Sequence, residues 1–169
     1  TLNNPIISGL YYRLLFTITM CNDYLKQTTD ERLNDRGVDD ALRANIQYYR
    51  SETRFLRALM YYHAMDMFGN TPFITENDPI GTYLPPQRSR AELYSFIESE
   101  LLELSDDPHM TEPRQNEYGR ADKAAVWMLL SRLYLNAEVY IQTPKYDECM
   151  KYARNVISAG YDLCPNYAE

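Results

Sequence analysis

The sequence predicts an all-α fold built from paired antiparallel helices. Five segments carry apolar residues at spacings of three and four, the pattern of amphipathic helices. Residues that cap or stop helices stand at the ends of these segments, and no segment reads convincingly as a strand. The 169 residues are 45% apolar, which is enough for one domain with a packed core.

The first two helices are predicted from about Pro5 to Leu25 and from about Asp39 to Phe68. Pro5 suits the first turn of a helix, and the polar stretch 26–37 is predicted to be the loop between the two helices. Gly69 supplies a left-handed cap residue after the second helix. This helix is the longest of the five.

Three more helices are predicted in the second half of the chain. Ser89 and Glu92 form a capping box, in which each side chain bonds the other residue's backbone amide, and this opens the third helix. Asp122 is the predicted cap of the fourth helix, which runs to about Ala137, and the fifth runs over 145–159. The segments from about 70 to 88 and from about 106 to 119 are predicted to be irregular loops.

The fourth and fifth helices resemble one tetratricopeptide repeat. The sequence YDECMKYA at 146–153 looks like the second helix of that repeat, and Leu130, Ser131 and Tyr134 stand where it places its Leu, small residue and Tyr. The linker 136–143 is several residues too long for the consensus. The repeat is therefore degenerate.

Composition excludes several classes of partner. The 17 basic and 24 acidic residues give a net charge of −7. Nucleic-acid-binding proteins are typically basic, so this charge argues against binding to nucleic acid. It also disfavours binding to an anionic membrane surface. No run approaches the roughly 20 apolar residues that span a bilayer, and residues 1–20 lack the pattern of a secretory signal. The spacing of Cys21, Cys149 and Cys164 fits no zinc template. It leaves a Cys149–Cys164 disulfide open.

Catalytic and cofactor sites find little support in the sequence. Glu98, Glu100 and Glu103 lie close together, but glycosidases need two carboxylates across a cleft, so this run is interpreted as a solvated helix face. His63 and Asp66 have a spacing that could hold a metal with further ligands, yet a structural role for His63 is favoured. No cofactor is predicted, and no enzymatic activity.

Four separated blocks resemble one family, in the family's order. They are ETRFLRALMYY at 52–62, FGNTP at 68–72, RSRAELYSFI at 88–97 and YGRADKAAVWMLLSRLYL at 118–135. Together they resemble the helical part of the SusD-like (RagB/SusD) glycan-binding lipoproteins. The resemblance covers nearly the whole chain, so residues 1–169 are predicted to be one tetratricopeptide-like region of a longer protein.

The resemblance implies a non-catalytic glycan- or nutrient-binding subunit at the outer-membrane surface. Its implied partners are a SusC-like TonB-dependent transporter, on which the helices pack, and an oligosaccharide or other nutrient. The lipid anchor that the family carries is expected outside this chain. A second hypothesis stays open, in which the helices form a tetratricopeptide scaffold that binds peptides or protein partners.

Candidate ligand-binding residues are those that could stack on sugar rings or pair with sugar hydroxyls near the first helix and in the proline-rich loop. They are Asn4, Tyr11, Tyr12, Arg13 and Tyr83. The alternative for the tyrosines is packing between helices or on the surface. Asn22 is expected to bond backbone between helices. Trp127 is expected in the core. Arg54, Arg57 and Arg120 are expected to anchor neighbouring loops through ion pairs, and the alternative for them is a polar interface to the transporter.

Overall fold

The computed structural model describes residues 4–79, 81, 83–161 and 166. Its helices are α1 (Pro5–Gln27), α2 (Asp30–Asp35), α3 (Asp40–Phe68), α4 (Arg90–Asp106), α5 (Lys123–Leu135), α6 (Ala137–Ile141) and α7 (Tyr146–Ser158). Two short strands, β1 (Thr71–Pro72) and β2 (Gln87–Arg88), pair antiparallel. The all-α fold class is confirmed.

The structure corrects the predicted boundaries in three places. The predicted loop 26–37 contains the short helix α2. Its Leu33 is only 2% exposed, and the burial of this side chain stabilises the helix. The linker 136–143 contains α6, whose Ala137 and Tyr140 are buried. The predicted irregular loop 70–88 begins and ends in strands β1 and β2.

Side-chain contacts show that α3 runs antiparallel to α1 and that α4 runs antiparallel to α3. On α3, Arg50 donates to the carbonyl of Leu25 and Arg57 donates to Asn22, so positions rise along α3 as they fall along α1. Between α3 and α4, Arg57 reaches Glu100, and Tyr61 packs against Phe96. This is the predicted helix pairing.

The core lies around α4, which packs on both α3 and α5. Leu93, Ile97, Leu101 and Leu104 recur at spacings of three and four and are all 0% exposed. Trp127 packs against this core from a half-buried position, with its Nε1 donating to Ser105 Oγ at 2.9 Å. One stripe of α4 therefore joins the first helix pair to the later helices.

The predicted caps form as their side-chain chemistry requires. The Ser89 amide donates to Glu92 Oε2 at 2.8 Å, and the Glu92 amide donates to Ser89 Oγ at 3.3 Å. The bond from the Ser89 amide lowers the pKa of Glu92 to about 2. Asp122 accepts from the Ala125 amide at 3.0 Å at the start of α5, and Gly69 ends α3 with φ of +76°.

Membrane-spanning capacity can be judged only for the described residues. Among them, none of the helices combines the length and the apolar character that crossing a bilayer requires.

Candidate functional site

The connection between α3 and α4 folds back over α1 and is fixed there by Tyr61. The Tyr61 hydroxyl donates to the carbonyl of Ile74 at 2.7 Å and accepts from its amide at 3.0 Å. Phe73 packs against both Tyr61 and Phe96. Burial raises the pKa of Tyr61 to about 12, so the hydroxyl keeps its proton and both bonds at neutral pH.

A buried arginine ties the same connection to α1 and α4. The guanidinium of Arg57, whose side chain is 3% exposed, donates to Asn22 Oδ1 at 2.8 Å and to Glu100 at 3.0 Å and pairs with Glu76. Asn22 completes the set by donating to the carbonyl of Ile74 at 3.0 Å. Burial alone would lower the pKa of Arg57, but the carboxylates of Glu100 and Glu76 raise it above its usual value.

All three arginines predicted as loop anchors make ion pairs. Arg57 holds the α3–α4 connection through Glu76, and Arg120 holds its own loop to α3 through Glu52. Arg54 instead joins α3 to the glutamates of α4 and anchors no loop through these pairs.

The interpretation of the α4 glutamates as a solvated face is wrong for Glu98 and Glu100 and holds for Glu103, which is 62% exposed. Glu100 is only 13% exposed and bridges Arg54 and Arg57, and Glu98 accepts from Lys145 at 2.7 Å. The arginines of α3 and the lysine that precedes α7 therefore partly bury Glu100 and Glu98.

A cavity of about 380 Å³ lies between α1 and the α3–α4 connection. We call it the α1 cavity. Its walls include Met20, Asp23 and Lys26 from α1 and Glu76, Tyr83 and Pro85 from the connection. Polar groups therefore stand beside an aromatic ring and two apolar side chains, the mixture found in small-molecule sites.

Hydrogen bonds shape the connection around the α1 cavity. Lys26 Nζ donates to the backbone carbonyl of Asp78 at 3.2 Å. Asp78 Oδ2 accepts from the amide of Thr75 at 2.7 Å and from its hydroxyl at 3.1 Å, which closes a local turn. Asp23, by contrast, is exposed and accepts one long bond of 3.3 Å from Gln27.

Of the predicted ligand residues, Tyr83 alone lines the α1 cavity, where it is 39% exposed. Asn4 caps α1 and accepts from the amides of Ile6 and Ile7. Tyr11 is half-buried, with its ring 5.1 Å from that of Phe68, so it serves the helix pairing. Tyr12 and Arg13 are exposed further up α1. The structure does not bring these four residues to the cavity.

Sequence reasoning missed Asp23 and Lys26. Their only sequence signal is a spacing of three on α1, which puts them on one helix face. The lysine's partner, the carbonyl of Asp78, is 52 residues away, and no periodicity reports such a contact. Asn22 was predicted to bond backbone between helices; its partner is the carbonyl of Ile74 in the connection.

An apolar stripe leads along α1 to the cavity. Tyr12, Phe16 and Met20, each four residues after the last, are 69%, 66% and 53% exposed. A spacing of four keeps them on one side of the helix. Met20 also lines the α1 cavity, so the stripe and the cavity form one continuous surface.

The other residues considered for chemistry have structural partners. Asp66 accepts from the Tyr140 hydroxyl at 2.6 Å. Burial, followed by the charge of Arg132, lowers the pKa of His63 below its usual value. In the part of the chain that the structure describes, no three His, Cys, Asp or Glu side chains cluster as metal ligands would. Cys164 lies outside the described residues, so the question of a Cys149–Cys164 disulfide stays open.

The Arg57–Glu76 pair predicts how stability depends on pH. Burial alone would raise the pKa of Glu76, but the hydrogen bond and charge of Arg57 lower it below the ordinary 4.5. A lowered folded-state pKa gives stability that is complete above 4.5 and is lost as the pH falls below it. In urea titrations of the full-length protein, Glu76→Gln should therefore flatten the fall in unfolding free energy between about pH 5 and pH 3.

Glu31→Gln is the control for this titration, because Glu31 is exposed on α2 and makes no ion pair among the described residues. It should leave the pH dependence unchanged. Equal slopes for Glu76→Gln and the unaltered protein would show that the pair contributes nothing to acid stability.

Comparison with known proteins finds a relative of this chain. No protein-family model matches the chain. The starch-binding protein SusD of Bacteroides thetaiotaomicron is 43% identical over 160 residues, which is 95% of this chain and 26% of SusD. The chain therefore spans about a quarter of that relative's length.

Solved structures share the fold. A protein crystallised with a xylogluco-oligosaccharide superposes with a TM-score of 0.79 at 22% identity, over 99% of this chain and 32% of that one. A SusD-like carbohydrate-binding protein of Bacteroides fragilis gives a TM-score of 0.72 at 20% identity, over 95% and 29% of the two chains. The 43% identity to SusD over 95% of this chain assigns it to the SusD-like family, and the two solved structures, at 20–22% identity, show that it shares their fold.

Proposed function

We propose that the protein is a non-catalytic glycan-binding subunit of an outer-membrane uptake complex. The observation that carries this proposal is the 43% identity to a starch-binding protein over 95% of the chain. Within the complex, this chain forms the helical scaffold that packs on a SusC-like TonB-dependent transporter. A lipid anchor outside this chain holds the protein at the cell surface.

The exposed stripe on α1 supports a role in binding partners. Tyr12 and Phe16 are each about two-thirds exposed, and contiguous apolar surface of this kind marks interaction sites. The core, in contrast, is filled by buried side chains. The chain therefore resembles a rigid scaffold that presents a surface.

The predicted ligand residues divide into two groups under this proposal. Tyr83 retains its proposed role as a sugar contact, because its ring is accessible in the α1 cavity. Tyr12 and Arg13 are exposed on α1 and are free to contact ligand from there. Asn4 and Tyr11 are proposed to contact ligand only alongside their roles as helix cap and packing residue.

Calorimetric titration of the full-length protein tests the proposal. Because the relative binds starch, we expect heat of binding with maltooligosaccharides in a panel that includes xyloglucan and laminarin oligosaccharides. Chromatography of the bound oligosaccharide should show no cleavage. Binding to peptides and to no glycan would contradict the proposal and favour the peptide-binding tetratricopeptide scaffold.

A second measurement tests the partner. The protein, purified from mild detergent extracts of its own outer membrane, should bring a TonB-dependent transporter with it in fixed stoichiometry. Glycan binding without any transporter would restrict the proposal to the ligand.

A further inference from the structure

We infer that the α1 cavity binds one neutral sugar ring, with Tyr83 stacking on the ring and with Asp23 and Lys26 bonding its hydroxyls. This inference rests on the proposed glycan-binding function and names a contact point for it within this chain.

The size and the walls of the cavity suit a single ring. Its volume of about 380 Å³ lies at the low end of the range for small-molecule pockets, roughly 300–1,000 Å³. Tyr83, Met20 and Pro85 present an aromatic face and apolar groups. The face of a pyranose carries C–H groups, which pack against an aromatic ring.

Two polar groups in the cavity have hydrogen-bonding capacity to spare. An ammonium group has three donors, and the described residues give Lys26 one partner, the carbonyl of Asp78. An ionised carboxylate accepts at both oxygens, and Asp23 accepts one long bond at Oδ1. A sugar hydroxyl both donates and accepts, so neighbouring hydroxyls can satisfy both side chains.

The balance of charge selects a neutral ligand. Glu76 is paired with the guanidinium of Arg57, and Asp78 accepts a hydrogen bond at Oδ2 from the amide of Thr75. The carboxylates of Asp23 and Asp78 outnumber the ammonium of Lys26, so the cavity repels a uronic acid, and the ammonium of Lys26 repels an amine placed beside it. A neutral hydroxylated ring meets neither repulsion and gains charge-assisted hydrogen bonds to Asp23 and Lys26.

The walls of the cavity are held in place before any ligand arrives. Asn22 and Tyr61 both bond the backbone of Ile74, and Arg57 fixes Glu76. A site that is already ordered loses little conformational freedom on binding. The buried network behind the cavity thus positions the groups that contact the sugar.

The test is calorimetric titration of the full-length protein with maltotriose as the neutral probe, trigalacturonate as the anionic probe and spermidine as the cationic probe. Tyr83→Ala should raise the Kd for maltotriose about tenfold through loss of stacking. Asp23→Asn keeps the shape and one acceptor oxygen but loses the charge, and should raise it about fivefold. Both other probes should bind at least tenfold more weakly than maltotriose.

Matched controls separate the cavity from the rest of the surface. Tyr118 is fully exposed and Asp35 is exposed on α2, and both lie outside the cavity. Tyr118→Ala and Asp35→Asn should therefore leave the Kd for maltotriose unchanged. Circular dichroism spectra that match the unaltered protein would show that each variant is folded.

The outcomes distinguish this inference from the proposed function. If the protein binds glycans and neither Tyr83→Ala nor Asp23→Asn changes the affinity, the cavity is not a sugar site and the proposed function stands. Tighter binding of spermidine or trigalacturonate than of maltotriose would also overturn the inference. If the unaltered protein binds no glycan at all, both proposals are wrong.

Discussion

Arg57→Met should lower the free energy of unfolding by about 3–5 kcal/mol, because removal of one partner leaves buried charge uncompensated. Glu100 and Glu76 are only 13% and 27% exposed and would lose their shared guanidinium. Asn22 would lose a donor as well. Urea denaturation of the full-length protein, followed by circular dichroism, should show an earlier midpoint with an unchanged slope.

In the same variant, the protection of backbone amides near Arg57 from hydrogen exchange should fall together with the free energy of unfolding. Arg57 joins α1, α3, α4 and the connection, so hydrogen exchange should accelerate at the amide of Ile74, which Tyr61 otherwise protects. Adding Glu76→Gln to Arg57→Met should restore part of the lost stability, because Glu76, unlike Glu100, makes no second ion pair among the described residues and its uncompensated charge is then removed.

Arg154→Met is the matched control for this substitution. Arg154 is exposed on α7 and makes no ion pair among the described residues, so its loss should change stability by less than about 0.5 kcal/mol. If Arg57→Met costs no more than Arg154→Met, the buried network contributes nothing to stability.

Helix positions were predictable because each depends on residues close in sequence. The apolar stripe of α4 and its capping box lie within one segment of 17 residues and its N-cap, and both are visible as spacings. The cap of α5 at Asp122 follows the same rule. The helix α2 was missed because six residues are too few for a period of 3.6 to show.

The candidate site was only partly predictable, because it depends on contacts across the chain. Tyr83 was selected as an aromatic residue in a proline-rich loop, and the structure places it in the α1 cavity. The cavity exists because Asn22 and Lys26 reach residues 52 positions away. Hydrophobic periodicity carries no information on which loop folds over which helix.

The glutamates of α4 are a second case in which contacts across the chain could not be predicted from the sequence. A run of charges on a helix is usually solvated, and the sequence contains nothing that contradicts this for Glu98, Glu100 and Glu103. Glu98 and Glu100 are nevertheless partly buried, by Lys145 beside α7 and by Arg54 and Arg57 from α3, whereas Glu103 is 62% exposed. Only the packing of neighbouring elements turns part of this polar face into partly buried ion pairs.

Leu101→Ala should be the second large perturbation, because α4 carries the contact between the two halves of the fold. Leu101 is 0% exposed and lies in the core that α3, α4 and α5 share. Truncation of a fully buried leucine removes transfer free energy and leaves a cavity, at a cost of about 3–5 kcal/mol. The urea midpoint of the full-length protein should fall accordingly.

The adjacent leucine supplies a control of identical chemistry. Leu102 is 38% exposed, so Leu102→Ala removes the same atoms from the same helix with little cavity left behind, and should cost less than about 1 kcal/mol. Alanine raises helix propensity slightly in both variants, so the difference between them isolates packing. Equal costs at the two positions would show that α4 does not face the core as described, and the scaffold proposed to support the α1 cavity would lose its basis.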